Sequence, residues 1–324
     1  MIHPLSKKPS TTNYYKSTSA LNPRLVEEDN FPVNGKTSEQ LEFLLNYAVL
    51  DPSIYNTQPW VFKIIDRAIE LYANTRVSAT ADPNYRELII SCGIALFDLR
   101  IAIRYFGYRD IVEVFPEPYN PNLLARISFG SKRIVQLEEK FLFRAISKRS
   151  TDRFYLANRN LPKSLISELE SVTDSECTRL QILTSIVPDS SRREVIKLVD
   201  KGDRLQTRDP LFRQKLSQWI NSSHEGILMA SSVVTLMLIG SQNDNEYAWL
   251  ATGEALGHLL LRARIDDVKV SCLNRPIQVP ELRDSALWGF PPLKRLSRVR
   301  SRLQALFSNN GYPQILLHLC YPTN

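Results

Sequence analysis

Arg149, Thr151 and Arg153 stand at every second position in the run KRSTDR. In an extended segment alternate side chains share a face, so the three would point the same way. Two guanidinium forks beside a hydroxyl suit a phosphate group, which arginine can hold bidentately without losing its charge. The same residues also read as a basic helix end, favoured there by the helix dipole. A second stretch, PSIYNTQPW at 52–60, sets Ser53, Tyr55, Asn56, Thr57 and Gln58 between two prolines. Neither a helix interior nor a central strand tolerates that pattern, so the stretch is a loop. Its amides and hydroxyls either bond their own backbone in turns or serve a ligand.

Other catalytic constellations are missing from the sequence. The chain has no G-x-G-x-x-G, no P-loop lysine and no G-x-S-x-G, which removes the signatures of dinucleotide-binding, NTPase and hydrolase folds. Four cysteines (92, 177, 272, 320) and four histidines (3, 224, 258, 318) are scattered without ligand spacing. No metal site or disulfide framework is expected, and a reducing, cytoplasmic setting is. The first residues carry no apolar stretch of a secretory signal. The longest apolar run, VVTLMLIG at 233–240, is too short for a membrane span and reads as a buried strand.

The 41 Lys and Arg exceed the 34 Asp and Glu by seven. Part of this excess is the run KRLSRVRSR at 294–302, read as a solvated helix face leading into LQALF. Without interleaved aromatics or a known module it does not argue for a specific nucleic-acid partner.

The elements that must position these residues are set by periodicity. Residues 1–36 form a polar arm, and one unit is expected over 37–324. A helix over TSEQLEFLLNYAVL has Thr37 or Ser38 as its N-cap. WVFKII and IELYA form a hairpin around DRA. ISCGIALFDLRIAIRYFG is a buried helix closed by Gly107, with the strand DIVEVFP after it. LEEKFLFRAIS is a helix with Leu137, Phe141, Leu142, Ala145 and Ile146 as its apolar positions.

GIALFDLRI from Gly93 also aligns with GEALGHLLL from Gly253, with Gly, Ala, Leu, Leu and an apolar residue coinciding. A short strand pattern comes after each copy. Shared buried-helix composition could produce this echo, but the preferred reading is two similar halves, about 37–135 and 136–324, standing in for the subunits of a symmetric dimer.

PSIYNTQPW resembles the P-S-x-x-N-x-Q-P-W loop of nitroreductase-fold flavoproteins, and AISKRSTDRFY resembles their R-x-[ST]-x-R segment. DPNYREL, SCGIAL, ATGEAL and GYPQILLHLCYP bring the chain closer still to the Acg family of that superfamily. The resemblance runs from about Thr37 to the end. It implies an α+β nitroreductase-like fold whose tandem halves form an intramolecular pseudo-dimer, with FMN between a loop from one half and an arm from the other.

On the same ground, Arg149, Ser150, Thr151 and Arg153 would hold phosphate, ribityl chain and pyrimidine edge. Pro52, Ser53, Asn56 and Gln58 would face them. Asn274 and Arg275, in LNRP, would pass near the isoalloxazine. The family usually has glutamine where Arg275 stands, and a guanidinium there could stabilise an anionic reduced flavin or repel cationic substrates.

The implied activity is FMN-dependent hydride transfer to or from a small organic substrate, with NADH or NADPH as a possible donor, in a monomer. The alternative is a protein that sequesters or stores FMN. No catalytic side chain is assigned, since flavin carries its own redox chemistry.

Overall fold

The computed structural model describes residues 13–16, 26–50, 58–78, 85–148, 160–176, 182–207, 235–274, 277, 301–306 and 311–322. Two antiparallel sheets carry the described strands. The first has the order β1 (Asn13–Lys16), β2 (Trp60–Ile65), β3 (Ala68–Ala73), β5 (Leu123–Lys132), β4 (Tyr108–Val114). The second runs β6 (Ile182–Ile186), β7 (Thr235–Ser241), β9 (Tyr312–Cys320), β8 (Lys269–Cys272). β2 and β3 form the expected hairpin, with Trp60 opposite Ala73 and Ile65 opposite Ala68. Strict alternation of burial along β2 buries Trp60, Phe62 and Ile64.

The helices are α1 (Thr37–Ala48), α2 (Thr75–Ser78), α3 (Arg86–Tyr105), α4 (Leu137–Ser147), α5 (Lys163–Glu176), α6 (Asp189–Thr207) and α7 (Glu246–Ile265). Residues 301–306 are also helical. α3 is buried on nearly every side, as its apolar sequence requires, and packs on β3, β4 and β5. α7 packs on the four strands of the second sheet.

The two long helices cross at the glycines of the sequence echo. A Cβ on Gly93 would stand 2.3 Å from the Leu250 carbonyl oxygen, and one on Gly253 would stand 2.1 Å from that of Ile90. Only glycine permits backbones this close. On the other face of the second sheet, Val195, Leu198 and Val199 of α6 cover Leu236, Leu238 and Leu316.

Several local expectations are corrected. Lys36, not Thr37 or Ser38, occupies the N-cap of α1, and its amide donates to Glu39 Oε2 at 3.0 Å. In α4 the buried apolar residues are Leu142, Phe143, Ala145 and Ile146, while Leu137 and Phe141 are exposed. Part of the polar arm takes part in the fold. β1 pairs with β2, and Phe31 stacks on Phe106 with ring centroids 4.1 Å apart. Most of the 294–302 run lies outside the described residues, but Arg302 Nε pairs with Glu194 Oε1 at 2.6 Å.

Among the described residues no helix is long and apolar enough to cross a membrane. No group of three or more potential metal ligands occurs among them.

Candidate functional site

Arg149, Ser150, Thr151, Arg153, Pro52, Ser53, Asn56 and Arg275 lie outside the described residues; Gln58 and Asn274 lie within them. α4 ends at Ser147, two positions before Arg149.

Gln58 has φ +46°, in the left-handed region that costs a non-glycine residue about 1–3 kcal/mol. The next residue, Pro59, is firmly held. Its carbonyl accepts from the backbone amide of Asn74 at 2.8 Å and from the buried Cys92 thiol at 3.7 Å. Burial keeps that thiol protonated by pushing its pKa well up, so Cys92 serves as a donor in the wall and not as a nucleophile. The end of the loop is thus pinned to α3 and to the residue after β3, and the strain at Gln58 is maintained by its surroundings.

Asn274 lies two positions beyond β8 and is buried. Its Oδ1 accepts from the Leu316 amide at 3.2 Å and its carbonyl from Ile277 N at 2.8 Å. Neighbouring Leu273 donates to the Leu316 carbonyl at 2.7 Å. These bonds fix the side chain with Nδ2 as a buried donor that has no hydrogen bond among the described residues. Such a donor costs about 1–3 kcal/mol unless an acceptor meets it. A carbonyl or ring nitrogen of a flavin would be an acceptor of that kind.

A polar bridge joins the start of α3, the helix that carries Cys92, to β9, the strand that holds Asn274 through Leu316. Arg86, the buried first residue of α3, donates through Nε to Gln314 Oε1 at 2.9 Å and through Nη2 to the Gln314 carbonyl. Gln314 Nε2 reaches Ser241 Oγ at 2.8 Å and Asp244 Oδ1 at 3.1 Å. Asp244 Oδ1 also accepts from Trp249 Nε1 at 2.7 Å. Cys92, under the loop, is six residues along α3 from Arg86, and Leu316, which holds Asn274, is two along β9 from Gln314. This network has no signature in the sequence, although DPNYREL and GYPQILLHLCYP carry its two ends. Tyr85, just before Arg86, is also left-handed at φ +56°. Strained backbone therefore precedes both Pro59 and α3.

No family model matches the chain. Curated relatives do. "Putative NAD(P)H nitroreductase Rv3131" of Mycobacterium tuberculosis is 26% identical over 313 residues, covering 87% of this chain and 85% of that protein. "Putative NAD(P)H nitroreductase acg" of the same organism is 27% identical over 290 residues, covering 79% and 86%. Among solved structures, a protein described as a putative nitroreductase from Anabaena variabilis superposes with a TM-score of 0.56 at 11% identity, covering 98% of this chain and 93% of its own. The structural likeness establishes the nitroreductase-like fold, and the sequence likeness reaches over most of both chains. The chain is thus similar to the Acg relatives in sequence and to a nitroreductase in fold.

Proposed function

We propose that the chain is an FMN-dependent oxidoreductase of nitroreductase type that acts on a small organic substrate, with NADH or NADPH as electron donor. The observation that carries this reading is the likeness over most of the chain to relatives named NAD(P)H nitroreductases. When bound, FMN supplies hydride transfer through its N5 atom.

The protein's own part is to bind, orient and enclose. Asn274 Nδ2 offers a fixed donor to a ring acceptor. Gln58, held left-handed before Pro59, shapes the facing loop together with Pro52, Ser53 and Asn56. Arg149, Ser150, Thr151 and Arg153 hold the phosphate and ribityl end, and Arg275 brings positive charge to the ring edge. The two halves form a pseudo-dimer about the α3–α7 crossing, so that one chain builds one complete flavin site and is monomeric. Support for this comes from the equivalent glycines, which touch each other in the structure.

The test is a titration of FMN and riboflavin by fluorescence quenching. Arg149→Ala or Arg153→Ala removes a charge-assisted hydrogen bond of about 1.5–3 kcal/mol and lowers FMN affinity roughly ten- to a hundredfold. Riboflavin, lacking the phosphate, is nearly indifferent to either change. Equal FMN affinity in wild type and the double variant would return KRSTDR to a basic helix end. Anaerobic mixing of the FMN-loaded protein with NADH or NADPH then bleaches the flavin; a store of FMN stays yellow.

A further inference from the structure

A second site lies at the other end of α3. The helix closes on Gly107 in the left-handed region (φ +82°), and Gly107 N bonds the Arg104 carbonyl at 3.0 Å while its own carbonyl accepts from Arg133 N at 2.8 Å. That turn brings together the last turn of α3, the start of β4 and the residue after β5. A cleft of about 390 Å³ results, lined by Arg104, Arg109, Asp110 and Arg133.

The one carboxylate among the described residues of this lining is already engaged. Asp110 Oδ1 accepts from Arg104 Nε at 2.7 Å, and Oδ2 from Arg100 Nε at 2.6 Å and Arg104 Nη2 at 3.0 Å. Arg100 also meets Glu254 at 2.5 Å, and Arg133 meets Glu139 at 2.7 Å. Arg109 differs from all of these: it is exposed and has no ion-pair partner among the described residues. The negative end of the α3 dipole accounts for Arg100 and Arg104, but Arg109 and Arg133 lie outside the helix.

The strand geometry also directs Arg109. Tyr108 pairs with Lys132 and Asp110 with Phe129, so β5 takes three steps against two on β4, and Arg109 opposes both Gly130 and Ser131. Such a bulge re-aims the side chain facing it. Gly130 leaves the room: a Cβ there would be 3.0 Å from the Arg109 Cβ.

We propose that this cleft binds a phosphate dianion, either free or as the terminal group of a phosphate ester, between the guanidinium groups of Arg104, Arg109 and Arg133. Arg104 and Arg133 are each already paired with a carboxylate, so Arg109 brings the positive charge that Asp110 and Glu139 leave uncompensated, and the guanidinium forks match phosphate oxygens. The site is independent of the flavin reading.

Calorimetric titration of the full chain with inorganic phosphate, and in a second arm with glycerol phosphate, tests it. Wild type binds saturably. Arg109→Glu, an exposed substitution that spares the fold, weakens binding roughly ten- to a hundredfold, and Arg109→Lys weakens it less because the charge remains without the fork. Tighter binding of the ester assigns the site to esters, and tighter binding of inorganic phosphate assigns it to the free ion. Absence of saturable binding in wild type, or equal affinity in Arg109→Glu, overturns the proposal.

Discussion

The Cα of Gly253 lies 2.7 Å from the position a Cβ on Gly93 would take, so each glycine is the other's steric limit. The obstructing atoms are all backbone, which cannot swing aside as a side chain does. Gly93→Ala or Gly253→Ala is therefore expected to cost about 3 kcal/mol or more, at the upper end of overpacking effects. Urea denaturation of each variant checks this; a loss below about 1 kcal/mol would show that α3 and α7 can slide apart.

Gln314 satisfies a buried guanidinium at one end and bonds Ser241 and Asp244 at the other. Gln314→Leu removes these acceptor and donor groups while keeping an apolar volume. The expected loss is about 1.5–3 kcal/mol, the range for hydrogen bonds to charged groups. Thermal unfolding measures it, and an unchanged midpoint would mean that Arg86 finds another acceptor.

Replacing Asn274 by leucine removes a donor aimed at the flavin ring in the proposed site. FMN and riboflavin should both bind roughly tenfold more weakly, since neither phosphate nor ribityl chain is involved. Fluorescence titration distinguishes this from the arginine variants, which spare riboflavin. A loss confined to FMN would place Asn274 at the phosphate end.

His318 is buried on β9, and burial holds its pKa below the usual histidine value. The unfolded chain then takes up a proton near pH 6.5 that the folded chain refuses, so stability falls as pH drops below about 6.5 and levels off once the folded pKa is passed. In the window between the two values the slope from this residue approaches about 1.4 kcal/mol per pH unit. His318→Leu should flatten that part of the stability profile. Identical slopes in the two proteins between about pH 7 and 5 would show that another group controls the fall.

The elements legible in the sequence are those whose signals are local. The hairpin at 60–73, α3 with its glycine stop and the buried strand at 235–241 all carry their own periodicity or punctuation. α4 shows where local signals stop. Its apolar stripe is wide enough to include Leu137 and Phe141, but the helix is rotated so that Phe143 stacks on Tyr105, 3.8 Å between centroids, and the other two face water. Phe31 escapes a periodic reading because a single aromatic in a polar stretch has no periodic neighbours. The Arg86–Gln314 bridge spans 228 residues, and no local pattern encodes such a pairing. Among the expected cofactor residues, Asn274 is named through the family resemblance alone, and its unpartnered buried Nδ2 follows from the way β8 pairs with β9, which no local pattern shows.

The meeting of Gly93 with Gly253 also sets a clock for synthesis. The two glycines are 160 positions apart, so at roughly 5–20 residues per second the first waits about 8 to 30 s for the second to emerge. Through that interval α3 has no partner for its seam, and a helix apolar on nearly every side must be shielded by the nascent chain or by a chaperone. Slowed elongation between the two helices should then lower the soluble yield more than the same delay placed after residue 265.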